Sequence, residues 1–326
     1  MTDLGIMFRR EHAPEHLPAF AARAEGAGFD SLWLVEDCFY GSGIASAATA
    51  LASTGTIKVG LGIMPAVARN PVFTAMEIAT LARLFPGRFL PGIGHGVAGW
   101  MRQIGAMPNS QLRALEETTL TVRRLLAGEE VSYTGREVQL QKARLLFPPD
   151  QIPPVFLGVR GPKSLALSGR VADGTILAEF ASPAYLSWAR EQIDRGRLEA
   201  WRDRPHRLTV FAFVCLEDDI AEARRQLCPL VAAAVASGKI NTQIAPLGIL
   251  PAAEEMLADG GPQQLEAEMP DEWIDQLNVV GSPEACAAAI GRLVEAGADS
   301  VVLVPLPDKG LDELDLFAGR LLPLLS

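Results

Sequence analysis

Residues 153–180 hold the feature that most constrains this chain: strand, glycine turn, helix and strand again within thirty residues. Residues 155–159 are apolar and rich in strand formers, and Gly158-Val159-Arg160-Gly161 breaks that run. Pro162 stands where a helix has its first residue. Leu167 and Val171 are four apart, Gly169 and Ala172 form a small-residue face, and Asp173-Gly174 ends the helix before an apolar strand at 175–178. So short a unit joins two parallel strands through a helical crossover. Its turn aims backbone N–H groups and a positive helix end at whatever lies above the strand, a place that suits a phosphate. An isolated G-x-x-G is also a plain tight turn, and this one is neither G-x-G-x-x-G nor a Walker loop. What the rest of the chain builds decides between the two.

Further strands are expected at 4–8, 31–35, 57–64, 89–93, 207–216 and 301–304, with helices at 16–27, 45–53, 71–85, 111–126, 182–201, 282–296 and 311–325. Residues 131–140 alternate polar and apolar around Gly135 and read as a hairpin. Residues 218–256 are helical and alanine-rich, interrupted at Gly238 and at Pro246-Leu247-Gly248, and are longer than a crossover requires. The polar stretch 262–271 reads as a loop. Eight short apolar strands alternating with helices give the fold class: α/β, a (β/α)8 TIM barrel with an extended helical insertion late in the chain. No composition break marks a second domain, so residues 1–326 are expected to be one.

The net charge of −10 disfavours a nucleic-acid or membrane surface. An anionic ligand therefore needs local cations, and Arg160 and Lys163 flank the turn. No apolar stretch is long enough to span a bilayer. The first ten residues lack a signal peptide's basic start and apolar core, which predicts a cytoplasmic protein. Cys38, Cys215, Cys228 and Cys286 are scattered without C-x-x-C spacing, and neither H-x-H nor H-E-x-x-H occurs, so no metal site is expected. G-x-S-x-G is missing as well. What remains is a barrel that takes its reactivity from an organic cofactor.

In such a barrel the site lies at the strand C-terminal ends. Arg9, Arg10, Glu11 and His12 follow the first strand, and Glu36, Asp37 and Cys38 the second. Gly62-Ile63-Met64-Pro65 closes the third and leads to Arg69 and Asn70, while Gly92-Ile93-Gly94-His95-Gly96 closes the fourth and leads to Trp100. Each has a structural reading. Glu36 and Asp37 can simply pair with an arginine, His95 can be a loop residue, Trp100 and Met101 can be packing, and Arg69-Asn70-Pro71 can be a turn into a helix. The alternating glycines are harder to dismiss, because glycine weakens a strand end unless a backbone or ligand approaches closely. Together with the turn at Gly158–Gly161 they suggest room for a flat ring with its phosphate over Gly161.

These motifs resemble a family. GFDSLWLVED at 28–37, VGLGIM at 59–64, RFLPGIGHGVAGWM at 88–101, the G-x-x-G-P-K turn and EAGADSVVLVPL at 295–306 resemble, in order, segments of the bacterial luciferase-like superfamily. The closest branch is the coenzyme F420-dependent one, similar to methylenetetrahydromethanopterin reductases; the other large branch uses FMN with oxygen. The resemblance implies an oxidoreductase that passes a hydride between deazaflavin C5 and a small or medium organic substrate. An FMN monooxygenase is the alternative, and a barrel that has lost its cofactor a third reading. It also implies a strand bulge with a cis peptide at Gly62–Ile63 behind the ring. Glu36, Met64, Pro65, His95 and Gly96 would line the ring and the chain leading to the phosphate. Arg160, Gly161, Lys163 and Ser164 would take the phosphate, and Gly94, Trp100, Gly158 and Val159 complete the cofactor set. Asp37, Glu36 and His95 are the candidates for handling a proton.

Two positions depart from the family. Its sugar-phosphate and alcohol dehydrogenases have histidine where Asp37 stands, and its sugar-phosphate branch has an acid where Val97 stands. A carboxylate is a weaker base than an imidazole, so reduction of a C=C or C=N bond is favoured over alcohol oxidation. A homodimer is expected, through helices such as 45–53 and 72–84.

Overall fold

A computed structural model describes residues 3–307 and 309–325. The strands are β1 (Asp3–Met7), β2 (Ser31–Leu34), β3 (Lys58–Pro65), β4 (Phe89–Gly94), β5 (Val131–Thr134), β6 (Gln139–Ala143), β7 (Phe156–Gly158), β8 (Gly174–Leu177), β9 (Arg207–Leu216), β10 (Val279–Gly281) and β11 (Ser300–Pro305). Helices α1 (Leu17–Gly26), α2 (Gly43–Ala52), α3 (Pro71–Leu84), α4 (Ala98–Gln103) and α5 (Gln111–Leu126) lie between the earlier strands. They are followed by α6 (Pro162–Val171), α7 (Pro183–Glu199), α8 (Ile220–Ala236), α9 (Asn241–Ile244), α10 (Leu250–Glu268), α11 (Asp271–Leu277), α12 (Pro283–Glu295) and α13 (Glu313–Arg320).

The main sheet runs β10-β9-β11-β1-β2-β3-β4-β7-β8, with a further pairing of β9 to β8. All eight expected strands are present in it and the fold is the (β/α)8 barrel; β10 is a short extra strand beside the end of β9. The expected hairpin forms as the antiparallel pair β5–β6. The stretch 262–271 is not a loop. It continues α10 beyond a break at Gly261, whose φ of 70° only glycine adopts readily, and Pro262 restarts the helix with Leu265 buried. No helix among the described residues is long and apolar enough to cross a membrane.

The chain divides into two units. One comprises residues 6–176 with 193–207, and its interior is built on aromatic rings laid over glycines. A Cβ on Gly60 would lie 2.4 Å from the Trp33 ring, and one on Gly174 2.4 Å from Phe156. Those two rings meet edge to face at 6.3 Å, a favourable geometry for their quadrupoles. Helix α6 is pressed backbone to backbone against the end of α7. A Cβ on Gly169 would sit 2.0 Å from the Ile193 carbonyl oxygen, and one on Gly196 1.8 Å from that of Ala166. This is the close packing that the small-residue face at Gly169 predicted, and it fixes the axis of α6.

The other unit comprises, among the described residues, 3–5, 177–192, 208–307 and 309–325. Its β9 and β11 pair in parallel from Thr209↔Ser300 to Val214↔Pro305. The Asp299 carboxylate accepts the Leu208 N–H at 2.7 Å, and Gln243 donates to the Glu179 carbonyl at 2.6 Å. The helical insertion is α8, α9 and α10, broken near the positions expected from Gly238 and Gly248.

Candidate active site

The candidate site lies in the first of these units, at the C-terminal ends of β2, β3, β4 and β7. Strand β3 pairs with β4 as Leu61↔Pro91 and then as Met64↔Ile93, so one extra residue of β3 is pushed out. This is the bulge, and the Gly62–Ile63 peptide within it is cis. Bulges of this kind re-aim a side chain. Here the side chain is Ile63, and it goes into the space that three glycines leave. A Cβ on Gly158 would lie 2.3 Å from Ile63 Cγ2, and one on Gly94 2.8 Å from Ile63 Cγ1. A Cβ on Gly92 would meet the Leu61 carbonyl oxygen at 2.6 Å. The strand-end glycines therefore do not leave an open slot for a ring, as the sequence suggested; they seat the protein's own bulge. Gly96, at φ 71°, turns the chain tightly against Pro65 and Met101, each 3.0 Å from where its Cβ would be. The Met64 side chain is 1 % exposed and belongs to the core.

Three residues beyond Gly158 the picture reverses. Gly161 caps α6, Pro162 opens it, and no side chain caps its first N–H groups. A Cβ on Gly161 would meet nothing within 4 Å. Arg160 and Lys163 are exposed on either side, and Val159 is buried. Unfilled N–H groups at a positive helix end beside two cations suit an anion. The Ser164 hydroxyl, in the same turn, is 2.9 Å from His95 Nε2. His95 Nδ1 is buried without a well-formed hydrogen bond. Burial pushes the imidazole pKa down against a smaller opposing contribution from the Gln111 backbone, so the ring is neutral near pH 7.

Glu36 and Asp37 face different partners. Arg69 donates to Glu36 through both terminal nitrogens, at 2.8 and 2.7 Å, and the Gly43 N–H adds a third bond at 3.2 Å. The Glu36 side chain is only 14 % exposed, so its oxygens are spoken for. The structural reading of Glu36 is the one the geometry fits, and Arg69 does more than lead into a helix. Asn70 supplies that turn instead, its side chain accepting the Val72 N–H at 2.9 Å. Asp37 pairs with Arg10, which also bonds Glu11 and lies over the rings of Tyr40 at 4.8 Å and Trp100 at 5.7 Å. Burial works against the Arg10 charge, yet the hydrogen bond and charge of Asp37 raise its pKa above the ordinary value. Arg10 is thus the hub joining the loops after β1, β2 and β4. The sequence named it without a role, because nothing local ties residue 10 to residues 37, 40 and 100.

The residues fit a flavin-like cofactor at the phosphate end, where Gly161 is open and the α6 N–H groups are unfilled. At the ring end they offer a bulge backed by close-packed glycines. Among the described residues no group of three or more His, Cys, Asp or Glu is placed to hold a metal ion.

Comparison with known proteins agrees with this geometry. The luciferase-like monooxygenase family matches residues 2–300. The 5,10-methylenetetrahydromethanopterin reductase of Methanolobus tindarius is 31% identical, over 91% of this chain and 92% of that protein. That of Archaeoglobus fulgidus is 30% identical over 99% of both. Among solved structures, the coenzyme F420 dependent tetrahydromethanopterin reductase from Methanopyrus kandleri shares the fold with a TM-score of 0.85 at 23% identity, over 100% of this chain and 99% of that one. With a family match over most of its length, relatives aligned end to end and the bulge and helix terminus in place, the chain belongs to the luciferase-like monooxygenase family.

Proposed function

We propose that this chain is a coenzyme F420-dependent oxidoreductase passing a hydride between deazaflavin C5 and a small or medium organic substrate. The observation that carries the reading is the open, uncapped α6 terminus at Gly161, three residues after Gly158, one of the glycines that seat the Ile63 bulge. A relative named as an F420-dependent glucose-6-phosphate dehydrogenase, 27% identical over 97% of this chain, supports F420 over FMN. When bound, a deazaflavin supplies a carbon that gives or takes a hydride, reactivity that no side chain here has.

In this reading Gly161, Lys163 and Ser164 bind the phosphate, with Arg160 beside them. His95 is a positioning residue: its Nε2 shares a hydrogen bond with the Ser164 hydroxyl and fixes that hydroxyl's orientation at the start of α6. Gly62 and Ile63 back the ring, and Gly94 and Gly158 hold Ile63 there. Pro65, Gly96 and Trp100 border the groove, while Met64 contributes from within the core. Glu36, fixed by Arg69, sets the loop after β2. Asp37, oriented by Arg10, is the group that holds or moves a substrate proton. A cytoplasmic homodimer belongs to the same reading, supported by Phe73, Met76 and Leu84 on α3, which are 60%, 47% and 64% exposed.

Purified protein mixed with coenzyme F420 should quench its fluorescence with micromolar or tighter affinity. Protein that ignores F420 but carries FMN would replace this reading with the monooxygenase one. Asp37→Asn should lower kcat while leaving coenzyme affinity unchanged.

A further inference from the structure

A second cavity lies in the same unit, where β8 and β9 begin rather than where they end. About 360 Å³ in volume, it sits between the second half of α5, the end of α6 and the connection from α7 into β9. Half of its eight lining residues are arginines: Arg123, Arg170, Arg202 and Arg204. In a chain of net charge −10 such a concentration needs a reason. Part of it is structural. Asp173 pairs with both Arg123 and Arg202, and Arg202 also donates to the Arg170 carbonyl at the end of α6, at 3.1 Å. Arg170 reaches Glu199 at 3.2 Å and Glu116 at 3.8 Å, and Asp203 is the one acid on the lining.

The rest is not accounted for by the fold. Two guanidinium groups share one carboxylate at Asp173. The Arg204 side chain makes no hydrogen bond or ion pair among the described residues. Burial, together with the charges of Arg123 and Arg204, lowers the Arg202 pKa against the pull of Asp173, which marks a positive local field. On the same lining, Trp201 is 94 % exposed and stands at φ 52°, in the left-handed region. A bare indole there does nothing for the core. The Leu120 and Val171 side chains add apolar wall beside it. Guanidinium forks match phosphate oxygens, and an indole face takes a flat ring. The volume falls within the range of small-ligand sites.

We propose that this cavity is a second binding site, distinct from the cofactor groove, for an anion carrying a flat ring, of the nucleoside-phosphate class. The ring lies on Trp201, and the phosphate meets Arg204 and Arg170. Asp173 holds Arg123 and Arg202 behind them as a fixed positive wall.

Calorimetric titration of the full chain with ADP and, separately, with inorganic pyrophosphate tests this. Saturable ADP binding is expected, weakened at least tenfold by Arg204→Glu and several-fold by Arg204→Gln. Trp201→Ala should weaken ADP about tenfold and leave pyrophosphate within twofold. Gly161→Glu should leave both unchanged, and none of the cavity variants should alter binding of coenzyme F420. The proposal is overturned if neither probe saturates, if Arg204→Glu leaves ADP affinity intact, or if Gly161→Glu removes it. Equal affinity of the two probes, unchanged in Trp201→Ala, would overturn the ring contact.

Discussion

Gly158 and Gly161 are three residues apart in one turn and look alike in the sequence, yet their surroundings are opposite. The Cβ missing from Gly158 is replaced by Ile63 at 2.3 Å, and the one missing from Gly161 by nothing within 4 Å. The first glycine makes room for the protein, the second for something else. Glycine in a binding motif therefore has two meanings, and only the filling of the space separates them. In the filled region, from β3 across β4 to β7, substitutions should register as lost stability. In the open region, at the start of α6, they should register as lost binding on an intact fold.

The largest effect should come from closing the filled region further. Gly158→Ala forces a β-branched side chain to move and should cost about 2–3 kcal/mol in a denaturant melt. Adding Ile63→Ala to it should recover part of that loss; additive losses would mean that Ile63 does not occupy the space. Next, Arg69→Leu leaves the mostly buried Glu36 carboxylate with the Gly43 N–H as its main partner. About 2 kcal/mol of stability should go. A smaller loss from Glu36→Gln, whose amide still bonds Arg69, would identify the pair as the cause.

The open region should behave differently. Ser164→Ala and His95→Gln should each weaken coenzyme binding about tenfold, roughly 1.4 kcal/mol, with melting temperature nearly unchanged. Their double variant should lose little more than either alone, since one hydrogen bond joins them. A fully additive double variant would separate their roles.

The smallest effect is on pH. The His95 pKa is lowered in the fold, so between that value and the unfolded imidazole's ~6.5 the unfolded chain binds more protons. Stability contributed by neutral His95 is present above that window and lost as pH falls through it. His12, lowered mainly by burial, acts in the same direction. Only the difference between wild type and His95→Gln isolates His95, and a flat difference between pH 5 and 7 would contradict its burial.

The sequence carried the barrel well because its strands are mostly short and apolar and alternate with helices. Arg207–Leu216 was legible to the residue, and Ser282 caps α12 as read. The cis bond and bulge were legible only through family resemblance; no local propensity marks Gly62. Other features depended on distance. Glu36 and Arg69 are 33 residues apart, Arg10 and Asp37 27 apart. Neither pairing leaves a trace in spacing. The helix through 262–268 buries little beyond Leu265, so its polar residues read as a loop in the sequence.

In the proposed reading the open start of α6 holds the phosphate of a deazaflavin, and a side chain placed at Gly161 would occupy that space. Titration of coenzyme F420 fluorescence should be run on wild type and on Gly161→Glu, with a melting curve for each. Micromolar or tighter binding by wild type, at least a hundredfold loss in the variant and matching melting temperatures are predicted. Binding that survives a glutamate at that helix end would contradict the account.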